Sequence, residues 1–155
     1  MKGNEMIIEQ LNARLAEELT ATNQYMVHSE MCENWGYKRL YESIRERAIM
    51  EMKHAERLIE RILFLEGRPI VSNLHAIHIG DEVPKMHQFD HALEESAIRG
   101  YNDSIRKAVE LGDNGSRELL EAILKDEEGH IDFIEAQLDQ MRQIGVQNYL
   151  AEQID

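Results

Sequence analysis

Walking the chain at alternating steps of three and four, the spacing at which residues share one helix face, gives four long apolar stripes, each interrupted near its middle by acid. In the last stripe Leu120, Leu124, Glu127, Ile131, Ile134, Leu138 and Met141 fall in line, with His130 one turn beyond the glutamate on the adjoining edge. The first reads Ile8, Leu11, Leu15, Glu18, Thr22, Tyr25, Ser29 and Cys32. The second reads Leu40, Ile44, Glu51, His54, Leu58, Ile62 and Leu65, with a carboxylate and an imidazole on successive seam positions. The third is less regular: Val83, Asp90, Glu94, Ala97, Tyr101, Ile105 and Ala108 set Glu94 inward.

Glycine and proline divide these stripes. Gly36 separates a helix over residues 5 to 34 from one over 37 to 66, and Gly67 followed by Pro69 stops the second. Residues 67 to 80 lack helical periodicity and read as an extended crossover, longer than an ordinary turn. Asp81 offers an N-cap for a third helix that runs to about Leu111, with Pro84 tolerated in its first turn. The cluster Gly112-Asp113-Asn114-Gly115 breaks it, and a fourth helix follows to about Ile144, closed by Gly145. Residues 146 to 154 have room for one short extra helix. Helices of about 30 residues are ~45 Å long. Short links within each pair and a long link between pairs predict an all-α four-helix bundle of two antiparallel hairpins, a single domain over residues 1 to 155.

Buried carboxylates are costly unless something neutralises them. Two divalent metal ions balance the four charges of Glu18, Glu51, Glu94 and Glu127 and leave His54 and His130 neutral, as metal-ligating imidazoles must be. Residues i and i+3 project from one helix face, so each Glu-x-x-His offers two donors together. A lone Glu-x-x-His is usually a solvated pair; two of them plus two seam glutamates form the donor set of di-iron carboxylate bundles. Oxygen and imidazole donors in this ratio suit iron or manganese. His28, His75, His78, His87 and His91 have no such pattern and are expected on the surface.

Composition narrows the partners. The 155 residues, 43% hydrophobic and 30% charged, suit one globular domain, and the formal net charge of -13 repels nucleic-acid phosphate and favours cations. No stretch approaches the ~20 apolar residues of a membrane span, and the N-terminus has no signal-peptide pattern. A lone Cys32 allows no internal disulfide and no CxxC metal site. A cytoplasmic location is expected.

The chain resembles the bacterioferritins over essentially its whole length, from Met1-Lys2-Gly3 to Gln147-Asn148-Tyr149-Leu150. The most specific stretches are Asn23-Gln24-Tyr25, Glu51-Met52-Lys53-His54-Ala55, Arg61-Ile62-Leu63-Phe64-Leu65-Glu66-Gly67 and Asp126-Glu127-Glu128-Gly129-His130-Ile131-Asp132. The resemblance implies a ferritin-like fold in which Glu18, Glu51, His54, Glu94, Glu127 and His130 are ferroxidase ligands to two iron ions per subunit, Glu51 and Glu127 bridging. It further implies oxidation of Fe(II) by dioxygen or hydrogen peroxide and storage of a ferric mineral in a homo-oligomeric cage of twenty-four subunits. A ferredoxin-like reductase would release the iron. Tyr25 would donate an electron or hydrogen-bond a ligand carboxylate, and Met52 would ligate haem b, one per dimer, at a subunit interface. From position alone, an outward methionine such as Met52 is more often adaptable packing than a haem ligand.

Three positions depart from the family pattern, in two places. Where many relatives carry His and Asp at an accessory iron site on the inner shell surface, this chain has Glu46 and Met50, and Phe133 stands where a tryptophan is frequent. Two other functions fit parts of the pattern. A rubrerythrin-like di-iron peroxidase would share the centre without storage, although the missing CxxC pairs weigh against it. A metal-free helical interaction module would share only the bundle.

Overall fold

A computed structural model describes all 155 residues. Four long helices, α1 (Glu5–Asn34), α2 (Lys38–Phe64), α3 (Val83–Glu110) and α4 (Asn114–Ile144), are followed by a short α5 (Val146–Ala151). The first starts at Asn4, whose side chain accepts a hydrogen bond from the Met6 N–H and so satisfies one donor of the open helix end. Gly36 takes a left-handed φ of 83° in the tight α1–α2 link, which places those helices antiparallel. Asp113 caps α4 by accepting from the Ser116 N–H at 3.0 Å, and Arg61 of α2 donates to both Asp113 and the Ser116 hydroxyl, tying the end of the first hairpin to the turn of the second.

The expected boundaries need three corrections. The second helix stops at Phe64 rather than residue 66; Leu65 caps it and Glu66, not a glycine, takes the left-handed φ of 61°. Gly67 is needed for a different reason, because a Cβ there would lie 2.7 Å from the Ile8 side chain. Glu82, not Asp81, occupies the N-cap of α3 and makes no side-chain capping bond. The C-terminal helix ends at Ala151, three residues early.

The crossover from residue 66 to 82 forms no secondary structure of its own, so its backbone groups need other partners. A stripe on α1 at four-residue spacing supplies them. Asn12 Oδ1 accepts from the Ile70 N–H at 2.8 Å, Thr20 Oγ1 from His75 at 2.9 Å, Gln24 Oε1 from His78 at 3.1 Å and His28 Nε2 from Gly80 at 3.0 Å.

Apolar burial is divided in two. One cluster, including Leu11, Leu15, Leu58, Ile62, Tyr101 and Leu120, fills one end of the bundle. The other, including Tyr25, Leu40, Ile44, Met86, Met141 and Tyr149, fills the opposite end. The six residues between these clusters are polar, and all four long helices contribute to them.

Candidate metal centre

Glu18 lies between Leu15 and Ala21 on α1, Glu51 between Ala48 and Ala55 on α2, Glu94 between Met86 and Ala97 on α3, and Glu127 between Ile123 and Ile134 on α4. Each is held inward by the apolar residues on either side, and each is 1% exposed. His54 is 1% exposed and His130 16%. The structure therefore brings together all six residues singled out from the sequence, Glu94 included.

Their atoms form two overlapping groups. Glu18, Glu51, His54 and Glu127 converge on one point, and Glu51, Glu94, Glu127 and His130 on a second, each group with its donor atoms within 4.8 Å of one another. Glu51 and Glu127 belong to both. Glu127 turns Oε1 to His54 Nδ1 at 2.8 Å and Oε2 to His130 Nδ1 at 3.8 Å, while Glu51 turns Oε2 to His54 Nδ1 at 3.6 Å and Oε1 to His130 Nδ1 at 2.8 Å. A carboxylate with one oxygen in each group has the geometry of a bridging ligand.

The charge state without metal is held by protons. Burial, then repulsion from Glu51, pushes the Glu18 carboxyl well above its ordinary range, and burial with Glu127 raises Glu94 to about 8. Burial, then Glu127 and Glu94, raises Glu51 as well. Burial opposes charge on both imidazoles, yet contacts with Glu127, Glu18 and Glu51 lift His54 far above its usual value, and contacts with Glu127, Glu51 and Glu94 lift His130 to about 12. Burial also works against ionised Glu127, but hydrogen bonding with Glu94, His130 and His54 draws its carboxyl below the ordinary range.

Six buried atoms, one from each residue, make no well-aligned hydrogen bond, the 2.8 Å approaches of the two imidazoles to Glu51 and Glu127 included: Glu18 Oε2, Glu51 Oε1, His54 Nδ1, Glu94 Oε2, Glu127 Oε1 and His130 Nδ1. Buried polar atoms are rarely left orphaned. Six of them, all converging and all of metal-donor type, fit a pair of cations.

Side chains around the cluster fix its orientation. Tyr25 donates its phenol proton to Glu94 Oε1. Tyr101 donates to Glu18 Oε1 at 2.5 Å. Burial raises both phenols well above their ordinary pKa, so they act as neutral donors. His54 Nε2 meets Asp126 Oδ2 at 2.9 Å, which turns Nδ1 inward. Next to Tyr25, Arg47 stacks its guanidinium 4.4 Å from the ring centroid and donates to Asp90 Oδ2 at 2.7 Å. Asp90 also accepts from Gln24 and His28, and although burial opposes its charge, His28 and Arg47 keep its carboxyl below the ordinary range.

Two of the histidines expected on the surface are in the core. His28 is fully buried between Asp90 and Gly80, and His87 is fully buried against the Tyr149 hydroxyl at 3.2 Å. Burial, then Arg47, lowers His87 to about 4, so it packs as a neutral ring. His75 and His78 are exposed, and His91 is partly covered and paired with Glu135 at 2.8 Å. The parts absent from the sequence reading, Arg47, Asp126 and the pairing roles of Asp90 and Tyr101, had one usable signal. Arg47 and Asp90 both stand on core seam positions and so require partners.

A four-helix bundle with a long crossover and this inward donor set defines a ferritin-like protein, and a family model described as a ferritin-like domain matches residues 8–144. Within that class the similarity extends almost end to end. The chain is 43% identical over 149 residues to the bacterioferritin of Brucella melitensis, covering 96% of this chain and 92% of that one. It is 40% identical to the bacterioferritin of Rhodobacter capsulatus with the same coverage, and 38% identical over 152 residues to that of Mycolicibacterium paratuberculosis, covering 98% and 96%. The chain belongs to the bacterioferritin family. No helix is long and apolar enough to cross a membrane.

Proposed function

We propose that this protein stores iron, oxidising Fe(II) to Fe(III) at the six-residue centre and collecting the ferric product inside a cage of twenty-four copies of a single-domain chain in the cytoplasm. The observation that carries this reading is the set of six converging, orphaned donor atoms shared between two overlapping groups. Two Fe(II) ions held side by side would each give one electron to dioxygen or hydrogen peroxide as co-substrate.

The chain's own residues prepare that step. Glu18 and His54 face one iron position, Glu94 and His130 the other, and Glu51 and Glu127 reach both. Four carboxylate charges offset the four positive charges of two Fe(II). Tyr25 and Tyr101 hold one oxygen of Glu94 and of Glu18, leaving the other free for metal. Tyr25, whose hydroxyl touches the ligand carboxylate of Glu94, is assigned as an electron donor to the centre. Partners that orient ligands typically contribute 10–100-fold in metal affinity. Asp126→Ala, which frees His54 Nε2, is expected to weaken Fe(II) binding by about tenfold or more, read by competition with a chelator.

The deciding experiment is anaerobic Fe(II) titration of the metal-free protein. Saturation is expected at two tight ions per subunit, with protons released as iron replaces those held on the imidazoles and raised carboxyls. The linkage sign follows: the metal-free form binds more protons, so apparent affinity rises with pH, about tenfold per unit for each proton displaced. Fewer than two tight ions, or no proton release in calorimetry across buffers, would remove the dinuclear reading.

Haem b is assigned to Met52, one per dimer. About 100° of helix rotation separates Met52 from Glu51, and its side chain stands 44% exposed, away from the centre, where its soft thioether sulfur would hold the haem iron at an interface between two copies. Met52→Leu is expected to lose haem from the purified protein, measured as pyridine haemochrome, without changing the two-iron stoichiometry. Release of stored iron would draw electrons from a ferredoxin-like reductase.

A further inference from the structure

Any cation bound at this centre must first reach four carboxylates that are each 1% exposed. A cavity of about 110 Å³ extends to them, with Glu18, Glu51, Glu94 and Glu127 along its inner wall. Two further residues of carboxylate or imidazole type on that wall, Glu17 and His75, belong to neither donor group. A second cleft, about 490 Å³, follows α1 beside the crossover and carries the acids Glu5 and Glu9. His75 is the one residue common to the cleft and the cavity.

Glu17 is built for a task. Its Oε1 accepts from Arg14 at 2.9 Å, while its Oε2 is buried and has no partner. Arg14 is itself immobilised. It donates to the Ser104 hydroxyl, lies 5.9 Å from the Tyr101 ring centroid, and occupies space that a Cβ on Gly100 would take, 2.2 Å from Nη1. One oxygen of Glu17 is thus neutralised and fixed, and the other is left oriented beside the cavity. His75 is fixed through its backbone N–H to Thr20. The other approach to the centre, about 510 Å³ between α2 and α4 at His130, carries Lys53 against Glu46, with Arg47 already paired with Asp90, and so offers an incoming cation no net acid.

We propose that Glu17 and His75 form a relay site that takes a hydrated divalent cation from the cleft along α1 and passes it to the dinuclear centre. One carboxylate oxygen and one imidazole nitrogen leave most of the coordination shell to water. Binding is therefore weak and reversible, as transit requires. The inference rests on the two-ion reading above, and its test separates the two.

Stopped-flow uptake of Co(II) by the assembled metal-free protein, followed by the visible bands of the bound ion, reads rate and capacity together. Glu17→Gln preserves size and is expected to slow uptake about tenfold, the lower range of electrostatic acceleration, while the final two ions per subunit are retained. Glu17→Asp should recover part of the rate. His75→Ala, on an exposed loop where folding is not at stake, should slow uptake several-fold with the same capacity. Uptake rates within twofold of the parent in both Glu17→Gln and His75→Ala would overturn the relay. So would a Glu17→Gln variant that binds fewer ions, because Glu17 would then serve the centre itself. A parent protein that fails to take two Co(II) would instead overturn the dinuclear reading.

Discussion

Alanine in place of Glu127 is expected to suppress rapid aerobic Fe(II) oxidation by about 100-fold or more, because loss of a partner that merely orients a ligand already costs 10–100-fold and Glu127 contacts both histidines directly. The two metal positions share this carboxylate, so the loss is not confined to one of them. Anaerobic titration of the variant is expected to give at most one tight ion per subunit. Glu128→Ala, one residue along on the exposed face of α4, is the control and should leave both readings unchanged. An unaltered fast phase in Glu127→Ala would remove the assignment of the centre.

Asp90→Leu is expected to be the most destabilising single change away from the metal donors, at about 3–5 kcal/mol, the usual result of leaving a buried charge unpaired. Asp90 is fully buried and accepts from Arg47, His28 and Gln24, so its removal strands one charge and two neutral donors in the core. Thermal unfolding of metal-free protein at fixed concentration measures the loss. Arg47→Met combined with Asp90→Leu should recover a large part of it, since replacing a buried ion pair by apolar side chains is often close to neutral. A single variant as stable as the parent would show that the network contributes nothing to folding.

The bundle and its centre were legible for one physical reason. Each ligand glutamate sits where the three-and-four spacing demands an apolar residue, and a carboxylate in that place needs an explanation that only a cation supplies. Glu94, on the least regular stripe, rested more on charge balance and resemblance than on periodicity, and it lies 1% exposed. What escaped was pairing across helices. Periodicity shows that Asp90 and Arg47 face inward, but not that they meet across α2 and α3. His28 and His87 were put on the surface because an imidazole with no metal partner is usually solvated, whereas here a backbone N–H and a tyrosine hydroxyl satisfy them. Helix ends were misplaced by one or two residues where Glu66 and Glu82 took positions usually given to glycine or a capping side chain.

The four rungs that α1 extends to the crossover have an evolutionary consequence. Asn12, Thr20, Gln24 and His28 hold the peptide groups of residues 70, 75, 78 and 80, not their side chains. Any residue other than proline presents the same N–H. The path of this segment is therefore encoded largely in a different helix, and outside Gly67, Gly80 and His75 its own letters are free to drift and to acquire new surface chemistry without the bundle coming apart.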